Sequence, residues 1–121
     1  VETELAKLFE TTYRAWMIVF FQEMHRVSRH IDASFDDVVD FIEDTHRVRH
    51  DRPVMFPGVV GGHCQIPNTK LLMKTYDSKI LEIILESNEK RKEEIKNSKV
   101  FEEVEEIRKR VEANEKQTLA P

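Results

Sequence analysis

The sequence predicts an all-α fold. Three observations carry that reading. Apolar residues recur at i, i+3 and i+4 through most of the chain. The composition is 35% charged and 40% hydrophobic, and the second half is dominated by Ala, Glu, Lys, Leu and Arg, as in helix-rich soluble domains. No segment shows the period-2 alternation of a strand, and no repeat or linker interrupts the pattern.

The first helix is expected from Glu2 to His30. Its helical periodicity runs through Leu5, Leu8, Phe9, Thr12, Ala15, Trp16, Val19, Phe20, Met24, Val27 and Ile31. At 1.5 Å per residue it would be ~44 Å long. Met17, Ile18 and Phe21 add apolar side chains on other faces. A turn that is apolar all round must be covered all round, which points to a partner chain. A second helix should begin at Ser34, a good N-cap, with Asp36 and Asp37 in its first turn, where the dipole favours anions. Val38, Phe41 and Ile42 make its expected buried face, and it is expected to end near His46. Arg47 to Val60 reads as loop, because Pro53 and Pro57 break helices and Gly58 permits a tight turn. Pro67 and Asn68 can start a third helix through Leu71, Leu72 and Tyr76. Asp77 and Ser78 offer a cap for a fourth, driven by Ile80, Leu81, Ile84 and Leu85. Ser98 is the expected cap of a fifth, whose stripe of Phe101, Val104, Ile107 and Val111 suits packing on another helix. Residues 1–96 are expected to form one helical domain and 97–121 a charged C-terminal extension.

The formal net charge is -4 with acids and bases interleaved, which excludes the one-sided basic surface that nucleic acid demands. The longest apolar run, around Trp16 to Phe21, is far short of the roughly 20 residues needed to span a bilayer. The single cysteine excludes an internal disulfide and fits a reducing, cytoplasmic setting. The chain opens on Val1 with a helical pattern already under way, so a preceding segment is expected.

The most informative stretch is Gly61-Gly62-His63-Cys64. It carries the only thiol, and all three glycines of the chain, Gly58, Gly61 and Gly62, lie beside it. Glycine concentrates where the backbone must turn sharply or let something approach. A thiol there reads as a nucleophile, as a metal ligand, or as a small buried hydrophobe. It precedes a helix start, and a helix N-terminus favours the nucleophilic thiolate. A zinc site could be drawn from His46, His50, His63 and Cys64, but the adjacent pair ligates awkwardly and Pro53 follows His50 closely. No metal is therefore expected. His25 and His30 sit in a charged stretch and read as solvated. Lys7, Thr11 and Arg14 share one helix face and could line a polar cleft.

The segment Phe56-Pro57-Gly58-Val59-Val60-Gly61-Gly62-His63-Cys64, with Pro67, resembles the active-site loop of the UDP-glucose/GDP-mannose dehydrogenase family. Glu4-Leu5-Ala6-Lys7-Leu8 with Thr12-Tyr13-Arg14-Ala15 is similar to the start of that family's central domain. The resemblance covers Glu2 to roughly Lys92. It implies a 6-phosphogluconate-dehydrogenase-like helical domain in an intertwined homodimer. It also implies oxidation of the primary alcohol of a nucleotide sugar to a carboxylate, as in polysaccharide-precursor synthesis, with NAD held by an upstream domain that this chain lacks. Cys64 would attack the aldehyde intermediate, giving a thiohemiacetal and then a thioester. Lys7 would stabilise the developing oxyanion. Arg47 lies close to where the family places an arginine that reaches substrate across the dimer. Phe56 and Gly58 correspond to the segment along the nucleotide sugar, and Gly61, Gly62 and His63 to the backbone against which the sugar lies. The family usually has an asparagine where this chain has Thr11 and an aspartate where it has Asn68. Those departures imply either altered chemistry or a relative that has lost oxidation and kept the scaffold for binding or dimerisation. There is no GxGxxG and no βαβ unit to hold NAD, so the chain alone is expected to be inactive.

Overall fold

A computed structural model describes residues 1–61 and 64–119. Its helices are α1 (Glu2–His30), α2 (Phe35–Arg49), α3 (Gln65–Thr75), α4 (Lys79–Glu94) and α5 (Ser98–Leu119). Among the described residues there is no strand, so the chain is all-α as its periodicity predicts. No helix there is long and apolar enough to cross a membrane.

Capping chemistry sets most boundaries. The amide of Asp37 donates to Ser34 Oγ at 3.3 Å, opening α2, and that of Leu81 donates to Ser78 Oγ at 3.4 Å, opening α4. Asn97, rather than Ser98, caps α5: its Oδ1 accepts from the amides of Lys99 and Val100. α2 runs past the expected stop near His46, so Arg47 is helical. Pro53 is too far downstream to end it; His50 does so, taking a left-handed C-cap with φ 58° while its N–H bonds the His46 carbonyl. α3 begins ahead of Pro67, which fits in the first turn because no intrahelical N–H is needed there.

Two apolar clusters hold the helices together. One joins Phe21, Phe35, Val39, Val54, Met55 and Ile107; the other joins Ala15, Val19, Val60 and Ile84. Ile107 of α5 therefore shares a core with α1 and α2. Arg110 reinforces this by donating to the carboxylates of Asp36, Asp40 and Glu43 on α2.

The phase of the buried stripes differs from the sequence expectation. α1 buries Thr12, Ala15, Val19, Gln22, His25 and Ser28 along with Phe21. Leu5, Phe9, Phe20, Val27 and Ile31, expected inside, are exposed, and Tyr13 lies among them at 64%. Most of the Trp16–Phe21 turn is covered by the chain itself; Phe20 is not. Phe41 and Phe101 are likewise exposed, their places taken by Phe35 and Val39 on α2 and Val100 on α5. Periodicity locates a helix but not which of two apolar faces its own chain will cover.

Candidate active site

The thiol loop meets α1 along a polar seam. Cys64 is the N-cap of α3, and its carbonyl accepts from the Asn68 amide at 2.8 Å. Asn68 Nδ2 donates to Thr11 Oγ1 at 3.0 Å. The Thr11 hydroxyl in turn reaches the carbonyls of Leu8 and Lys7 at 3.1 and 3.2 Å. Thr11 and Asn68, distant in sequence, are thus joined directly. Ile66 packs against the cluster of Ala15 and Val19, so α3 starts beside the middle of α1 and runs back toward its beginning. Lys7, four residues before Thr11, and Cys64, four residues before Asn68, are both exposed. Each stands one helical turn away, or ~6 Å in rise.

A cleft of about 890 Å³ is lined by Arg14 and Met17 of α1, His46 and Arg47 of α2, Pro53, Phe56, Val59 and Gly61 of the loop, Gln65, and Asn114 of α5. Of the expected substrate-binding residues, Arg47, Phe56 and Gly61 line it. Arg47 is held by Asp44 and by Glu43, the latter at 3.6 Å. The Phe56 ring is capped by the Arg108 guanidinium, 4.2 Å from its centroid. Gly58 is buried beneath that ring: a Cβ there would stand 2.4 Å from ring carbons, so only glycine fits without displacing Phe56. Gly61 faces open space, with nothing near the position of an added Cβ. Gly62 and His63 lie outside the described residues. His46 Nδ1 accepts from the Arg52 amide at 2.8 Å, which leaves Nε2 as the donor of the neutral ring. Among the described residues no three His, Cys, Asp or Glu side chains gather as metal ligands.

Sequence reasoning missed a buried polar network between α1, α4 and α5. His25, expected to be solvated, is fully buried. Its Nε2 donates to Glu103 at 2.7 Å and its Nδ1 accepts from Arg91 at 3.0 Å. Burial and the Arg91 charge hold its pKa below the ordinary value, against the opposing pull of Glu103. Arg91 is itself pushed down to about 10, mainly by desolvation. Its Nε sits 3.4 Å from Glu94 but makes no aligned hydrogen bond. The neighbouring carboxylate of Glu103 is held below its usual range, since its bonds to His25 and Arg29 outweigh desolvation. The signal was present in the pattern: Gln22 falls on the same face as Ala15 and Val19, and Asn88 one turn after Ile84. Polar residues at core positions imply dedicated partners.

The described residues thus form an all-helical domain with a thiol at a helix start near a cleft, and they contain no βαβ unit. The chain belongs to the UDP-glucose/GDP-mannose dehydrogenase family: residues 1–90 match that family's central domain. α5 lies beyond the matched stretch. Comparison with curated proteins and with solved structures found no match.

Proposed function

We propose that this chain is the central domain of a nucleotide-sugar dehydrogenase, supplying the Cys64 loop and a dimer interface for NAD-dependent oxidation of a sugar primary alcohol to a carboxylate. The observation that supports this most is the Thr11–Asn68 hydrogen bond, which ties the polar face of α1 to α3 one turn from the thiol. In this reading the Cys64 thiolate adds to the aldehyde carbon of the substrate, and the Lys7 ammonium stabilises negative charge on its oxygen. In this reading Arg47, Phe56 and Gly61 line the cleft that takes the nucleotide sugar, and Gly58 seats the Phe56 ring. The described residues hold no βα unit and no phosphate-cradling glycine turn, so they do not fit NAD, which this reading assigns to another domain of the full-length protein. A cytoplasmic setting suits the single unpaired cysteine.

The outer face of α1 supports the dimer. Leu5, Phe9, Tyr13, Phe20, Val27 and Ile31 form one exposed stripe along its length. Burying each such side chain is worth roughly 1.5–3 kcal/mol, so a second copy laid along that stripe would be held firmly. Sedimentation of the chain at micromolar concentration should give a dimer, and Tyr13→Glu with Phe20→Glu a monomer. A 14.3 kDa species from the unaltered chain would refute the interface.

For the chemistry, Cys64→Ala in the full-length protein should abolish NADH formation, and a UDP-sugar should protect Cys64 from alkylation. One observation favours a second reading, a nucleotide-sugar-binding or dimerisation module without oxidation. Thr11 and Asn68 satisfy each other as a neutral pair, and neither can serve as a charged partner for Lys7. A full-length protein that binds a nucleotide sugar yet never reduces NAD would establish it.

A further inference from the structure

Among the described residues, the segment before the thiol has no regular structure of its own between His50 and Gly61. Its backbone nevertheless follows a defined path through the interior: Gly58 and Val60 are both buried. Buried backbone groups require partners, and here side chains provide them. Gln22 Nε2 of α1 donates to the Gly58 carbonyl at 2.7 Å. Asn88 Oδ1 of α4 accepts from the Val60 amide at 2.7 Å. Gln22 is 0% exposed and Asn88 3%, so neither bond is shared with bulk water.

Gln22 is itself oriented. Ser87 Oγ donates to its Oε1 at 2.7 Å and accepts from Arg26 Nη1 at 2.9 Å. Arg26 is anchored in turn by both oxygens of Glu94. This relay fixes which way the Gln22 amide faces and therefore which atom meets the loop. An aliphatic side chain at either position would serve helix packing as well. What the amides add is a clamp on two backbone groups just ahead of the cysteine.

We propose that Gln22 and Asn88 are positioning residues: together they fix the backbone of residues 58–60 and so hold Cys64 at the head of α3. The inference rests on the proposed role of Cys64 and adds to it the two groups that aim the thiol. Freeing the loop loosens the cysteine from that position.

Cys64 is the only cysteine, so alkylation by iodoacetamide reads one site. Asn88→Leu removes the acceptor and keeps the branched side-chain skeleton; its alkylation rate at pH 7 should change by at least about threefold, with the helical circular dichroism retained. Asn88→Asp keeps an acceptor oxygen in place and should restore the rate to within about twofold of the unaltered chain. A folded Asn88→Leu protein alkylated at the unaltered rate overturns the proposal. Should that variant fail to fold, Gln22→Met is read by the same criterion. Amide exchange in the unaltered chain stands behind both: the Val60 N–H should exchange far more slowly than an open-chain amide, and free exchange overturns the clamp. Alkylation asks nothing of NAD or sugar. A full-length protein that makes no NADH therefore leaves this result intact, and an unaltered rate in Asn88→Leu leaves the dehydrogenase reading intact.

Discussion

Replacing His25 by Gln should flatten the acid side of the stability curve. In the folded chain His25 donates from Nε2 to Glu103 and accepts at Nδ1 from Arg91. A proton on Nδ1 would face a guanidinium that has only donors, so the neutral ring is the form that fits. The groups that face it are Arg91 from α4, Glu103 from α5, Arg29 from its own helix and the Phe35 ring of α2. Burial and the two arginines lower its pKa from 6.5, and Glu103 opposes them without prevailing. The unfolded chain therefore binds the proton first as pH falls. Stability contributed by the neutral ring is complete above the unfolded value and is lost as pH drops toward the folded one. If the folded ring stays neutral throughout, the loss between pH 7.5 and 5.5 is about 1.4 kcal/mol, the limit for one proton with an unfolded pKa of about 6.5. With a urea slope of roughly 1–3 kcal/mol/M, the midpoint should fall by about 0.5–1.4 M. Glutamine can offer an N–H to Glu103 and an oxygen to Arg91 but cannot titrate. Urea melts of both proteins at pH 7.5, 6.5 and 5.5 isolate the His25 share as the difference in slope. Equal slopes, or an unaltered chain that grows more stable as pH falls, would show that His25 is charged beside Glu103 and that the reasoning fails.

Other perturbations follow from the same contacts. Ile107→Ala, in the core shared by α1, α2 and α5, should cost about 2–5 kcal/mol in a urea melt. Gly58→Ala should push the Phe56 ring off Arg108 and destabilise the chain by about 1–3 kcal/mol, read as a lower melting temperature and faster proteolysis within residues 50–61. Arg110→Ala breaks the fork to Asp36, Asp40 and Glu43; because this ion cluster is partly solvated, its loss should be about 1–2 kcal/mol at low salt and smaller in 1 M salt. Ser34→Ala should lower stability by about 1 kcal/mol through loss of the α2 cap.

Much of the fold was legible in the linear pattern. Helical spacing and capping residues located every helix, and the Ser34 and Ser78 caps act where the pattern put them. Boundaries were less legible where two chemistries competed. Asn97 and Ser98 are both good caps, and the choice fell on the residue whose oxygen reaches two amides. At the candidate site, the glycine-flanked cysteine and the polar face of α1 stood out, because glycine and thiol are rare in this chain and their clustering is informative. The partners of the thiol loop did not stand out: Gln22 and Asn88 look like ordinary helix polar residues until the loop is folded against them.

The amino-acid order by itself determined helix content, the Ser34 and Ser78 caps and membership of the family, because these depend on local spacing and on short motifs read within a few residues. Only the tertiary structure decided which face of α1 is covered, that His25 is buried and neutral, and that Thr11 meets Asn68. Those outcomes depend on how helices far apart in sequence cross. A side chain's solvation is set by what packs over it, and a period of 3.6 residues carries no record of that neighbour.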